Sequence, residues 1–90
     1  MKSLETQVNG DHYQKKSIQP IEYIIANDLS FIEGNIVKYI TRHSEKNGEA
    51  DAQKVLHYVF MLLENEYGVE PKKAFDSLFP ATVSEVANNV

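Results

Sequence analysis

The chain has 90 residues, no cysteine and a formal net charge of −4. That length fits one domain, able to bury roughly 60–65% of its unfolded surface without staples, and the missing thiols exclude disulfides and thiolate zinc sites. The acidic balance argues against duplex DNA as a partner, because such binding rests on broad phosphate neutralisation, yet it leaves room for one local basic pocket.

No apolar run is long enough to span a bilayer, and no apolar stretch follows Lys2, so neither a membrane span nor a signal peptide is expected. A cytoplasmic protein fits. Residues 1–10 lack apolar periodicity and read as an N-terminal arm. Asp11-His12-Tyr13 follows the turn-prone Asn9-Gly10, so His12 and Tyr13 are expected to be held by tertiary contacts. A solvated imidazole and a ring at the core edge are the commoner fates of such residues, with a site role as the alternative.

Gln19-Pro20 suits a helix entry, since the first helical position needs no N–H. Ile21, Ile24, Ile25 and Leu29 then make an apolar stripe over a helix ending near Asn27-Asp28. Ser30 and Glu33 form a capping box that starts a second helix. On it Ile32, Ile36, Tyr39, Ile40 and His43 share one side, while Asn35, Lys38, Arg42 and Lys46 form a ladder on another, which Phe31 begins. Asn47-Gly48 is the expected stop.

A third helix runs from Glu49 or Ala50 to Tyr67, with Gly68 as its terminator. Ala52, Val55, Leu56, Val59, Phe60, Leu62, Leu63 and Tyr67 share its broad apolar face; Asp51, Lys54 and Tyr58 lie elsewhere. The short connector makes the second and third helices antiparallel, so polar residues near the turn converge. Glu70-Pro71 opens a short helix with Ala74, Phe75 and Leu78 facing inward, ended by Phe79-Pro80. Residues 81–90 form a tail. The predicted fold is all-α: a helical domain over 11–80 with three main helices and a short C-terminal one. Apolar groups on both faces of the long helix favour a homo-oligomer.

The ladder is the main chemical signal. Arg offers a planar fork suited to paired phosphate oxygens and Lys a compact charge, and the helix N-terminus after Gly48 adds N–H donors. A solvated helix face is the commoner use of such a pattern. Tyr13, Tyr39 and Tyr58 suit base stacking or an amphipathic core edge. Gly34 early in a helix points to close packing or to an approaching ligand. No GxxxxGK[ST] loop or protein-kinase signature is present. Phosphoryl transfer would therefore need Asp51, Glu33 or Glu22 to hold Mg2+. His12, His43 and His57 are too widely spaced for zinc, and no metal site is expected.

Several ordered motifs resemble a known family. They are Asp11-His12-Tyr13, Ile18-Gln19-Pro20-Ile21-Glu22-Tyr23-Ile24, Phe31, Glu33-Gly34-Asn35, Val37-Lys38-Tyr39-Ile40, Arg42, Lys46-Asn47-Gly48, Asp51, Lys54 and His57-Tyr58. Over about residues 11–67 they look like the SaV-like family, small proteins of phages and prophages often described as nucleotide kinase-like. The resemblance implies a phage origin, a place in the host-cell cytoplasm and a nucleotide or nucleotide-derived ligand. It also implies nucleotide contact at His12, Tyr13, Asn35, Lys38, Tyr39, Arg42, Lys46, Lys54 and Tyr58. Sequestration of a nucleotide signal to counter host defence is one expectation. A Mg2+-dependent nucleoside monophosphate kinase and a module aimed at a host defence factor are the alternatives.

Overall fold

A computed structural model describes residues 16–81. The expected arm over 1–10, His12, Tyr13 and most of the tail lie outside the described residues. Within them the order is α1 (Pro20–Ala26), α2 (Phe31–Arg42), a 3-10 turn (His43–Glu45), α3 (Glu49–Tyr67) and α4 (Pro71–Leu78). The fold is all-α, and no described helix is long and apolar enough to cross a membrane. The chain divides into two compact units, Met1–Val59 and Phe60–Val90, with the division falling inside α3.

In the first unit the helix ends follow local chemistry. Pro20 occupies N1 of α1, and the Gln19 N–H donates to Glu22 Oε1 at 3.2 Å. Asp28 ends the helix in the left-handed region at φ 51°. Its N–H reaches Ile25 O and that of Leu29 reaches Ile24 O, a Schellman closure with Asp where Gly is usual. The Ser30–Glu33 box is reciprocal: Glu33 N–H donates to Ser30 Oγ at 3.2 Å, and Ser30 N–H to Glu33 Oε1 at 2.9 Å. Helix α1 packs on α2, with Gly34 facing Ile24 across the contact. A Cβ placed on Gly34 would lie 3.3 Å from Ile24 Cγ2. A methyl here would press lightly on the Ile24 side chain, a contact that a shift of a few tenths of an ångström relieves.

Helix α2 stops sooner than the sequence suggests. Thr41 Oγ1 donates back to Val37 O at 2.6 Å, a bond that tends to bend a helix, and the chain tightens to 3-10 after Arg42. Lys46 then leaves helical geometry at φ −137°, ψ −84°. The ladder therefore ends at Arg42, and the helical spacing that placed Lys46 on it does not apply. Gly48, φ +49°, turns the chain into α3, with its N–H on His43 O and its carbonyl accepting from Ala52.

In the second unit Gly68, φ +65°, closes α3, as expected, and its N–H donates to Glu64 O. Pro71 sits at the start of α4. Ala74 faces inward, but Phe75 and Leu78, expected to do the same, are 53% and 74% exposed. The Phe75 ring instead lies 5.0 Å from Phe79, an aromatic pair made along the helix rather than into a core.

Burial is sparse throughout. Pro20, Gly34, Arg42, Asp51 and Ala74 are the only buried residues among those described. None of the expected stripe residues on α2 or α3 is among them. Two of the five form an ion pair, and Asp51 at 0% exposure is the most deeply placed residue described. Half of the buried residues described in the first unit are therefore charged.

Candidate ligand-binding site

Arg42 ends α2 and Asp51 lies in the first turn of α3, so the Gly48 turn brings a C-terminal cation to an N-terminal acid. Each charge opposes the macrodipole end that it faces. The contact is two-pronged: Arg42 Nε donates to Asp51 Oδ2 at 3.0 Å and Nη2 to Oδ1 at 3.2 Å. The Arg42 hydrogen bond holds the Asp51 carboxyl below the usual carboxylate range; burial opposes this, while Arg42's charge, Asn47 and Lys54 add to it. This fork-to-carboxylate geometry is the one the sequence reading reserved for a phosphate. Arg42 spends it on Asp51, and the first turn of α3 already holds an anion of its own.

Above the pair, three cations gather on one ring. Arg42 Cζ lies 4.6 Å from the Tyr39 centroid, Lys54 Nζ 4.9 Å and Lys38 Nζ 5.1 Å, all within cation–π range. Lys54 is also 3.8 Å from Asp51 Oδ1. The Tyr58 ring stacks on Tyr39 at 6.0 Å and 13°, and Phe31 meets Tyr58 edge-on at 6.5 Å and 72°. His57 lies 6.4 Å from Tyr58. Arg42 and Lys54 reach the Asp51 carboxylate and Lys38 shares their ring, a local excess of positive charge on an otherwise acidic chain.

Beside this cluster a cleft of about 420 Å3 opens between α1 and α2. Pro20, Ile21, Ile24, Leu29, Phe31 and Gly34 make its apolar wall, and Gln19, Ser30, Asn35 and Lys38 are its polar members. Lys38 and Phe31 belong to both the cleft and the ring cluster. Cleft and cluster are one continuous surface.

The DUF3310 family, described as proteins of unknown function, matches residues 8–60. The chain belongs to the DUF3310 family. No curated protein and no solved structure matches it. The DUF3310 match takes in α1, α2 and most of α3, and so every described residue of the cluster and the cleft.

Within this DUF3310 region Lys38, Tyr39, Arg42, Lys54 and Tyr58 come together, and Asn35 lies with Lys38 on the cleft. Lys46 lies off the ladder. Asn35 turns its Nδ2 to Phe31 O at 2.8 Å and keeps its carbonyl for other partners. The carboxylates considered for Mg2+ each have another duty: Asp51 holds Arg42, Glu33 caps Ser30 and Glu22 caps Gln19. Among the described residues no three His, Cys, Asp or Glu side chains gather where a metal ion could sit. Sequence reasoning missed the burial of Asp51 and the part played by Phe31. The signal for the first was present, because a basic last turn and an acidic first turn flank one glycine-marked connector.

Proposed function

We propose that this chain binds a nucleotide or nucleotide-derived anion, with Lys38 and Lys54 as its phosphate contacts, carried beside the Tyr39–Tyr58 stack. The observation that carries this reading is the crowding of three cations on the Tyr39 ring when one buried acid is there to offset them. Packing like charges together is unfavourable alone, and an incoming anion relieves it. Arg42 acts as a positioning residue: held by Asp51, it fixes the ring and adds field without touching the ligand. The resemblance to SaV-like phage proteins supports the ligand class and suggests a host-cytoplasm setting in which sequestering a nucleotide signal is useful. Binding is preferred to phosphoryl transfer because the nearby carboxylates are engaged in caps and in the ion pair.

Calorimetric titration at low salt with mono-, di-, tri- and cyclic nucleotides tests the reading. Saturable heat that weakens as salt rises is expected. Absence of heat and of thermal shift with every nucleotide would overturn it.

Ile18, Phe31, Leu78 and Phe79 are each more than half exposed, and little apolar surface is buried among the described residues. The chain accordingly self-associates as a homo-oligomer. Sedimentation equilibrium is expected to give a multiple of the single-chain mass, and a single-chain mass at micromolar concentration would refute this.

A further inference from the structure

The geometry points to the cleft between α1 and α2 as the subsite for the ligand's uncharged body, a nucleobase with its sugar, seated so that the phosphate end meets Lys38. This inference rests on the nucleotide reading and adds where the rest of the molecule lies. Three observations carry it. The cleft volume of about 420 Å3 falls within the range in which small-molecule sites are found, roughly 300–1,000 Å3. Its walls are mainly apolar, from Ile21, Ile24, Leu29 and Phe31, as a planar heterocycle requires, and Asn35 supplies a polar side chain able to read a base edge. The third is continuity, because Lys38 lines the cleft while its ammonium stands 5.1 Å from the Tyr39 centroid. A ligand with its body in the cleft thus delivers its anionic end to the cationic cluster. An aliphatic carboxylate would satisfy the walls and Lys38 but leave the Asn35 amide unread, so the polar members favour the nucleobase.

The test uses the full chain and three probes: inorganic phosphate, a nucleoside monophosphate and decanoate. The monophosphate is expected to bind at least about tenfold more tightly than phosphate, a gap of about 1.4 kcal/mol, and decanoate is expected not to displace it. Ile21→Trp fills the cleft from a position that is 43% exposed, and is expected to remove most of that preference. In the unaltered protein, methyl-detected NMR is expected to show contacts from base protons to the Ile24 and Leu29 methyls. Monophosphate binding with no such contacts and an unchanged preference in Ile21→Trp would overturn the cleft assignment and leave the phosphate reading standing. Decanoate displacing the monophosphate with equal or greater affinity would overturn the nucleobase as occupant. Failure of phosphate and of every mono-, di-, tri- and cyclic nucleotide to bind would overturn the underlying reading itself.

Discussion

Replacing Gly34 with Ala sets two effects of similar size against each other. Ala is favoured over Gly in a helix interior by up to about 1 kcal/mol. Gly34 is the first residue of α2 to close a full helical hydrogen bond, its N–H lying 2.8 Å from Ser30 O, so it gains much of that difference. Against this, the new methyl would meet Ile24 Cγ2 at 3.3 Å, with Cδ1 and Cγ1 farther away at 3.6 and 3.8 Å. Only the first distance is short, and relief asks Cγ2 to move by a few tenths of an ångström. A β-branched side chain resists that motion, but the χ1 twist needed is well under 30° and costs less than about 0.5 kcal/mol. The cleft beside Ile24 gives it somewhere to go. Propensity wins: Gly34→Ala is expected to stabilise the chain by about 0.5 kcal/mol, while Gly34→Leu, too large for that gap, destabilises it. Urea unfolding followed by circular dichroism measures both. Loss of more than about 1 kcal/mol in Gly34→Ala, unrelieved by Ile24→Ala in the same chain, would show that packing against α1 is not what the glycine provides.

Other outcomes separate fold from site. Arg42→Gln leaves the Asp51 carboxylate buried without its fork and is expected to lower Tm clearly. Lys38→Gln should stay within about 0.5 kcal/mol of the parent in thermal melts yet weaken nucleotide binding. Because its folded-state pKa lies below the ordinary value of 3.8, Asp51 contributes stability that is fully present above about pH 4 and is lost as pH falls through the lower folded value. Acid titration by circular dichroism should therefore show Asp51→Asn lacking this part of the acid transition while being less stable at neutral pH. Ser30→Ala removes the N-cap of α2 and is expected to cost about 0.5–2 kcal/mol in the same urea assay.

Helix identity was legible because capping is local. Pro20, the Ser30–Glu33 box, Gly68 and Pro71 mark ends through contacts within four residues, so the chain itself carries the information. The end of α2 was not, since the Thr41 back-bond competes with the glycine signal six or seven residues later. Burial was less legible still. Periodicity says which side chains share a face, but not whether anything covers that face. Ile40 and Leu56 sit on the expected stripes and are both at least half exposed. Spacing placed Lys38 and Arg42 on one side of α2 but carried the ladder on to Lys46, where the helix has already ended, and it could not reveal that Asp51 takes Arg42.

That pair also sets the register of the site. Count along each helix from it at about 1.5 Å per residue. Lys54 and Tyr39 each stand three residues away, about 4.5 Å along their own helices, and so face each other, as the 4.9 Å contact records. Tyr58 stands seven residues from Asp51, about 10.5 Å along. Tyr39 and Phe31 stand about 4.5 and 16.5 Å from Arg42, which puts Tyr58 midway between them. Its two ring distances, 6.0 and 6.5 Å, follow from that position. A slip of one helical turn between α2 and α3 would carry Tyr58 past one neighbour and part Lys54 from Tyr39. An apolar contact of the same size would resist such a slip weakly, because one aliphatic neighbour replaces another at little cost. A buried carboxylate has no second guanidinium to accept. Specifying register is the best-attested use of buried charge, and it accounts for an ion pair among the few buried groups of the first unit.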